Sequence, residues 1–184
     1  MPQFITLTGD LGSGKSSIAK ELVRKLNMQK YSTGAAQRRI ADKRGVTTTE
    51  LNLIAEKDPT IDKEIDSVFK DLANQEDDYI VDSRLAWHFL PESFKVYLAV
   101  DPLIAAERIV NDETRDKEKY QCVEDALKHI VSRRESEVTR FQRVYGIDIT
   151  EPSNFDLVIN TSNLALEDAV KEIIMSFKAF KKSA

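Results

Sequence analysis

Apolar and polar positions along the chain change period repeatedly. Phe4-Ile5-Thr6-Leu7-Thr8 is a short run of strand-forming residues. Ile18, Ala19, Leu22, Val23 and Leu26 then fall at the spacing of one helix face. Lys30-Tyr31-Ser32 reads as a second short strand, and residues 35–44 as a helix stopped by Gly45. Thr47 or Thr48 caps the next helix, with Leu51, Ile54 and Ala55 on one side. Asp58-Pro59 ends it and starts another, in which Ile61, Ile65, Val68, Phe69 and Leu72 recur at helical steps. Tyr79-Ile80-Val81 is a third strand ending at Asp82, and residues 95–100 a fourth ending at Asp101-Pro102. A long helix over Val123–Tyr145 follows, then a last strand over 156–160. Leu166, Ala169, Val170, Ile173, Ile174 and Phe177 mark a closing helix, with residues 181–184 as its frayed end.

This alternation of strand and helix predicts an α/β domain built on a parallel sheet of five strands flanked by helices. In such sheets ligands bind beyond the carboxyl ends of the strands. The loop after the first strand, Asp82-Ser83-Arg84 and Asp101 all lie just past strand ends and are expected to share one crevice. The helical block between the second and third strands is longer than a plain crossover needs.

Composition narrows the picture. The 184 residues suffice for one such domain with a sizeable core. The net charge of −4 argues against a life on nucleic acid, though not against small phosphates, which local positive charge holds. A lone cysteine, Cys122, excludes an intrachain disulfide and a cysteine-rich zinc site. The first strand begins almost at the N-terminus, without the apolar segment of a signal peptide, and no stretch is long and apolar enough to span a bilayer. The expectation is a cytosolic monomer with no membrane partner.

The strongest chemical signal is Gly9-Asp10-Leu11-Gly12-Ser13-Gly14-Lys15-Ser16-Ser17, which carries the pattern G-x-x-x-x-G-K-[ST] between a strand and a helix. Glycines let backbone N–H groups approach phosphate oxygens closely. Lys15 brings positive charge to the β- and γ-phosphates, and the Ser16 hydroxyl suits a Mg²⁺ ion. The helix N-terminus adds free N–H groups and the positive end of its dipole. Asp82, at the end of an apolar strand, is a second candidate for holding Mg²⁺.

The long helix is the other informative element. Val123, Leu127, Ile130, Val138, Phe141 and Tyr145 form one apolar stripe at 100° per residue, and Arg134 falls inside it. Arg133, Glu137 and Arg140 share the neighbouring face. Desolvated arginines need counter-charge. Substrate phosphates would supply it, with Arg38, Arg39 and Arg84 adding to the clamp because guanidinium matches phosphate bidentately; alternatively Glu135 and Glu137 pair with these arginines. In the run 107–119, nine of the thirteen residues are charged, which reads either as a solvated helix end and loop or as a mobile lid. Trp87 and His88 read as packing residues.

With these residues in hand, the chain resembles the P-loop nucleoside monophosphate kinases, and among them the compact cytidylate kinase-like branch. Y-S-T-G-A-A-Q-R-R is similar to the segment in which a Ser or Thr contacts the acceptor nucleotide and an arginine holds its phosphate, here Thr33 and Arg38. A-E-K-D-P-T-I-D-K-E-I-D, ending at Asp66, is similar to the helical monophosphate-binding segment. D-S-R-L-A offers Arg84. R-R-E-S-E-V-T-R resembles R-x-x-x-[DE]-x-x-R, which would set Arg133 and Arg140 on phosphates or base and Glu137 on the acceptor sugar. F-D-L-V-I-N-T-S looks like the last strand and the loop beside adenine, at Thr161 and Ser162.

The resemblance implies a core of residues 1–32, 76–111 and 122–180, a monophosphate-binding segment 33–75 and a lid 112–121. It implies ATP held at residues 9–17 with Mg²⁺, with Arg108 beneath the lid and Arg115 on it. Lys15, Arg84, Arg115 and Arg133 would be the catalytic cations, and Thr33, Arg38, Asp66, Arg84, Arg133, Arg134, Glu137 and Arg140 the acceptor set. Leu85 stands where many cytidylate kinases have an Asp that reads the base, and Gln37 replaces a common Tyr, so the acceptor is CMP or dCMP with AMP, UMP or a small metabolite such as shikimate as alternatives. A GTP-dependent switch is the rival of another class; Asn160-Thr161-Ser162-Asn163 does not supply the N/T-K-x-D guanine reader that it should carry.

Overall fold

The computed structural model describes residues 3–55, 57–112 and 120–183. Five strands form one parallel sheet: β1 (Phe4–Gly9), β2 (Gln29–Ser32), β3 (Tyr79–Asp82), β4 (Phe94–Ala99) and β5 (Leu157–Asn160), in the spatial order β2-β3-β1-β4-β5. In-register pairing of Leu7 with both Asp82 and Val96, and of Leu98 with Ile159, brings the strand ends to one edge. The inner strands are largely buried, with Thr6 and Thr8 among Ile5, Leu7, Ile80, Val96 and Leu98, because helices cover both faces of a parallel sheet.

One face buries α1 (Lys15–Leu26) and α8 (Leu166–Ser183), through Ile18, Leu22, Ile173 and Phe177 packed on Ile5, Leu7, Val96 and Leu98. The helical period read from the sequence thus becomes a contact surface. The last helix continues to Ser183 instead of fraying after Phe180. Lys181 holds that end: its Nζ donates to Gln3 Oε1 at 2.7 Å and lies 5.5 Å above the Phe177 ring.

Between β2 and β3 the chain makes α2 (Thr33–Arg44), α3 (Thr48–Ala55) and α4 (Pro59–Ala73). Thr47, rather than Thr48, caps α3, by a reciprocal box with Glu50: Thr47 N donates to Glu50 Oε2 at 2.7 Å and Glu50 N to Thr47 Oγ1 at 3.1 Å. Asp58 caps α4 from the residue before Pro59. Ala41, Leu51, Ala55 and Ile61 form a small core belonging to these helices alone. Ile54, expected beside Leu51, is 37% exposed. The short α5 (Ala86–Phe89) follows β3, with Trp87 packed on Phe155 as the sequence suggested.

After β4 come α6 (Pro102–Val110) and α7 (Val123–Tyr145). Asp101 is the N-cap of α6, accepting from Leu103 N at 2.9 Å and Ile104 N at 3.4 Å. This corrects the expectation that Asp101 faces the crevice: two orphan amides of its own helix lie nearer and claim the carboxylate. Helix α7 packs at its start on α6 through Ala126 and Ile130, and near its end on Leu85, Trp87 and Ile149 through Phe141. The predicted lid residues 113–119, including Arg115, lie outside the described residues.

Gly9 has φ 149°, and a Cβ there would run into the Leu98 backbone on β4. Gly9→Ala is therefore expected to cost on the order of 2 kcal/mol through forced backbone strain. Thermal unfolding should read this as a fall of roughly 4–8 °C in Tm.

Candidate active site

The phosphate loop is shaped by its neighbours. Asp10 N donates to Leu98 O at 2.9 Å, and Ser13 N to Asp10 O at 3.3 Å. Gly12, at φ 79°, lets the loop approach α6, where a Cβ would lie 2.8 Å from Ala105 Cβ. Gly14, also at φ 79°, is the N-cap of α1 and provides no side-chain cap, so the first amides of that helix face outward as a phosphate cradle requires. Thr161 Oγ1 reaches Ser13 O at 3.1 Å and Ala99 O at 3.0 Å. Arg108 donates to the carbonyls of Thr161 at 2.7 Å, Ser162 at 2.9 Å and Gly12 at 3.4 Å, while Ser162 Oγ accepts from Asp101 N at 2.8 Å. These three predicted nucleotide residues form the rear brace of the loop.

A cleft of about 590 Å³ opens beyond the strand ends. The whole loop from Asp10 to Ser17 lines it, together with Thr33, Arg38, Asp82, Arg84, Arg108 and Arg133. Five cationic side chains, Lys15, Arg38, Arg84, Arg108 and Arg133, line it with Asp10, Asp82 and Asp112, and Glu137 adjoins it on Arg84 and Arg133, which leaves an excess of one positive charge. Sequence distance is large but spatial distance is small, as expected if the site bridges two polyanions.

Two carboxylates organise the cations. Asp82 lies at the end of β3, buried, with Oδ2 accepting from Ser16 Oγ at 3.1 Å and Oδ1 3.8 Å from Lys15 Nζ. Glu137 accepts from Arg84 Nε at 2.8 Å and from Arg133 Nε at 3.1 Å, one guanidinium on each oxygen. Arg84 also donates to Gly9 O. The reading in which Glu137 pairs with the arginines is thus realised together with the positive surplus. Burial pushes the Glu137 carboxyl up, but Arg84, Arg133 and Arg140 outweigh it and hold it below the usual carboxylate range.

The remaining predicted residues separate. Thr33, buried at the start of α2, faces the Asp82 carbonyl at 3.5 Å. Arg140 is buried behind Glu137 with its guanidinium 4.8 Å from the Phe141 ring centre, and it does not line the cleft. Arg134 is a correction to the buried-stripe reading. Its side chain is 44% exposed, and it pairs with Asp10. At its level α7 borders an open cavity of about 370 Å³ behind the phosphate loop, and its side chain turns to the Asp10 carboxylate instead of packing into an apolar layer. Asp66 lies on α4, and its side chain is outside the described residues. Ser83 lies in the cleft wall as expected, and Gln37 joins it there; sequence reading missed Ser32 and Thr48, because short polar residues at element ends carry no distinguishing spacing.

Ser16 and Asp82 present hard oxygen donors side by side next to the loop, the chemistry that suits Mg²⁺. Among the described residues no three His, Cys, Asp or Glu side chains gather to hold a metal. Few protein ligands is the usual condition for a Mg²⁺ that arrives with phosphates and keeps several waters.

Comparison with known proteins agrees with this geometry. A family model described as an AAA domain matches residues 5–140. The chain is 36% identical over 180 residues to a cytidylate kinase of Methanocella arvoryzae, covering 98% of this chain and 99% of the relative. The chain belongs to the cytidylate kinase family. A second member, the cytidylate kinase of Natronomonas pharaonis, is 37% identical over 175 residues, covering 94% of this chain and 88% of the relative. The family's fold extends further. A shikimate kinase from Bacteroides thetaiotaomicron superposes with a TM-score of 0.65 at 15% identity, covering 96% of this chain and 98% of that one. As a family member the chain is a nucleoside monophosphate kinase.

Burial lowers the Lys15 ammonium to about 8, with the Arg84 guanidinium adding to the effect and Asp82 and Glu137 opposing it. A bound triphosphate adds negative charge and must raise that value again, so nucleotide binding near pH 8 will take up a proton. Affinity should fall as pH rises through about 8, where the free protein loses the Lys15 charge. Calorimetric titration with a nonhydrolysable ATP analogue in two buffers of different ionisation heat measures the uptake; equal heats would refute it.

Proposed function

We propose that this chain transfers the γ-phosphoryl group of ATP to the 5′-phosphate of CMP or dCMP, releasing ADP and CDP or dCDP. The observation that carries this reading is the cleft itself, with the phosphate loop on one wall and Arg38, Arg84 and Arg133 in the rest of its lining. Two phosphorylated substrates can meet head to head only where protein cations offset their mutual repulsion. Cytidylate is the acceptor for which the relatives are named.

In the proposed reaction an oxygen of the acceptor phosphate forms a bond to Pγ. The bond from Pγ to the β,γ-bridging oxygen breaks, and its electron pair leaves with ADP. Such transfers need positioning and electrostatic cover for three equatorial oxygens more than covalent chemistry. Lys15 follows the transferred group from the donor side. Arg84 and Arg133 approach it from the acceptor side, already aimed by Glu137. Thr33 and Arg38 hold the acceptor from α2. Glu137 stays ionised at neutral pH, and each of its oxygens keeps a lone pair for a sugar hydroxyl beyond the arginine that it accepts. Ser16 and Asp82 would hold Mg²⁺, which offsets charge on the β- and γ-phosphates. The acceptor phosphate is itself an anion, so no general base is required.

Donor and acceptor residues of the proposed site line a single cleft, and action as a monomer is part of the proposal. Helices α2, α3 and α4 share a core of their own, which supports their role as one unit carrying Thr33 and Arg38 over the cleft. Among the described residues no helix is long and apolar enough to cross a membrane.

Loss of one preorganised charge at a phosphoryl centre typically reduces turnover by about 10²–10³-fold. Lys15→Ala and Arg84→Ala should each do so with CMP while circular dichroism stays unchanged. A coupled ADP-release assay across CMP, dCMP, UMP, AMP and shikimate reads both the loss and the acceptor. Near-normal turnover in both variants would remove the proposed site, and a preference for another acceptor would replace CMP.

A further inference from the structure

We infer that Asp10 is a positioning residue that couples the donor loop to the acceptor helix through Arg134. Asp10 occupies a variable position of the loop motif, and a carboxylate aimed at bound phosphates would repel them. Its side chain turns away from them. Oδ1 accepts from the Tyr97 hydroxyl at 2.7 Å and pairs with Arg134, and Oδ2 accepts from Val100 N at 3.1 Å. The carboxylate therefore joins three things: the loop, the end of β4 and the middle of α7.

The surroundings make this join consequential. Behind the loop lies the cavity of about 370 Å³, with Leu11 and Val100 on one side and Ile130 and Ile149 among its other lining residues. Leu11 packs on the cluster of Ala126 and Ile130 at the start of α7, but the cavity interrupts close packing between loop and helix beyond that contact. The charged bridge from Asp10 to Arg134 crosses this gap. Asp10 is largely shielded, its side chain 14% exposed, so water screens the pair incompletely. The adjacent residue, Gly9, is tied to the same helix by a separate route, from its carbonyl through Arg84 to Glu137. Consecutive residues of the donor loop are thus anchored to α7 on two lines of charge. A triphosphate that orders the loop must order α7, and with it Arg133 and Glu137, before the acceptor arrives. The inference rests on the reading that α7 holds the acceptor.

The test is hydrogen exchange with a nonhydrolysable ATP analogue as the only ligand, which is independent of acceptor identity. In the wild-type protein the analogue should slow exchange across the phosphate loop, α1 and residues 133–140. In Asp10→Asn and in Arg134→Gln the slowing over 133–140 should shrink by about two-fold or more, while that over the loop and α1 persists. The double variant should lose no more than either single one, because both break one link. Arg134→Lys should recover part of the effect. Melting curves of the ligand-free variants separate this from general weakening. Wild-type protection of 133–140 in both single variants, absence of that protection in the wild-type protein, or independent losses that multiply in the double variant would each overturn the inference. CMP binding, measured in parallel on the wild-type protein, tests the acceptor reading by itself.

Discussion

A half-buried guanidinium is stable only beside negative charge, and this site gathers Arg38, Arg84, Arg108 and Arg133 with Lys15 against Asp10, Asp82, Asp112 and Glu137. Glu137 is the pivot. By accepting Arg84 on one oxygen and Arg133 on the other, it keeps two like charges close together. Removing it would leave cations facing each other across a cleft that already carries Lys15, Arg38 and Arg108. The remaining surplus attracts polyanions, and the carboxylates decide from which direction each cation meets them. For the proposed reaction this amounts to preorganisation, with the orientation cost met during folding.

The sheet makes that arrangement possible. Parallel pairing of β1 with β3 and β4 puts Gly9, Asp82 and Ala99 at one edge, so the loops that follow converge although their residues are far apart in sequence. Helix α7 then crosses above this edge and contributes Arg133 and Glu137 from a single face. The rear of the phosphate loop is held by a different group, Thr161 with Arg108, and the two braces act on opposite ends of the same short turn.

Much of this was legible in the amino-acid order. The strand ends, the glycine turn, the Ser16–Asp82 partnership and the convergence of Arg84 with Arg133 all follow from local motifs placed on a parallel sheet. What escaped depended on what stands opposite. Arg134 sits within an apolar stripe by angle alone, yet a void and Asp10 face it, so it remains partly in water. Asp101 looked like a crevice residue because it ends a strand; the helix that starts one residue later takes its carboxylate. Asp10 filled a variable motif position and showed no signal of its own, because its partners Tyr97, Val100 and Arg134 are distant in sequence. Thr161 and Ser162 matched a ligand-facing pattern, and their side chains serve mainly to hold other main-chain segments together.

The contact between Thr161 and Ser13 spans 148 residues, nearly the length of the chain. The glycine loop is therefore completed by a segment synthesised 148 residues after it, and β5 must dock on β4 before that can happen. A nascent chain lacking its final strand holds the glycine turn without its rear support. Competence to seat a nucleotide thus arrives late in synthesis, as a property of the finished sheet and not of the motif that announces it.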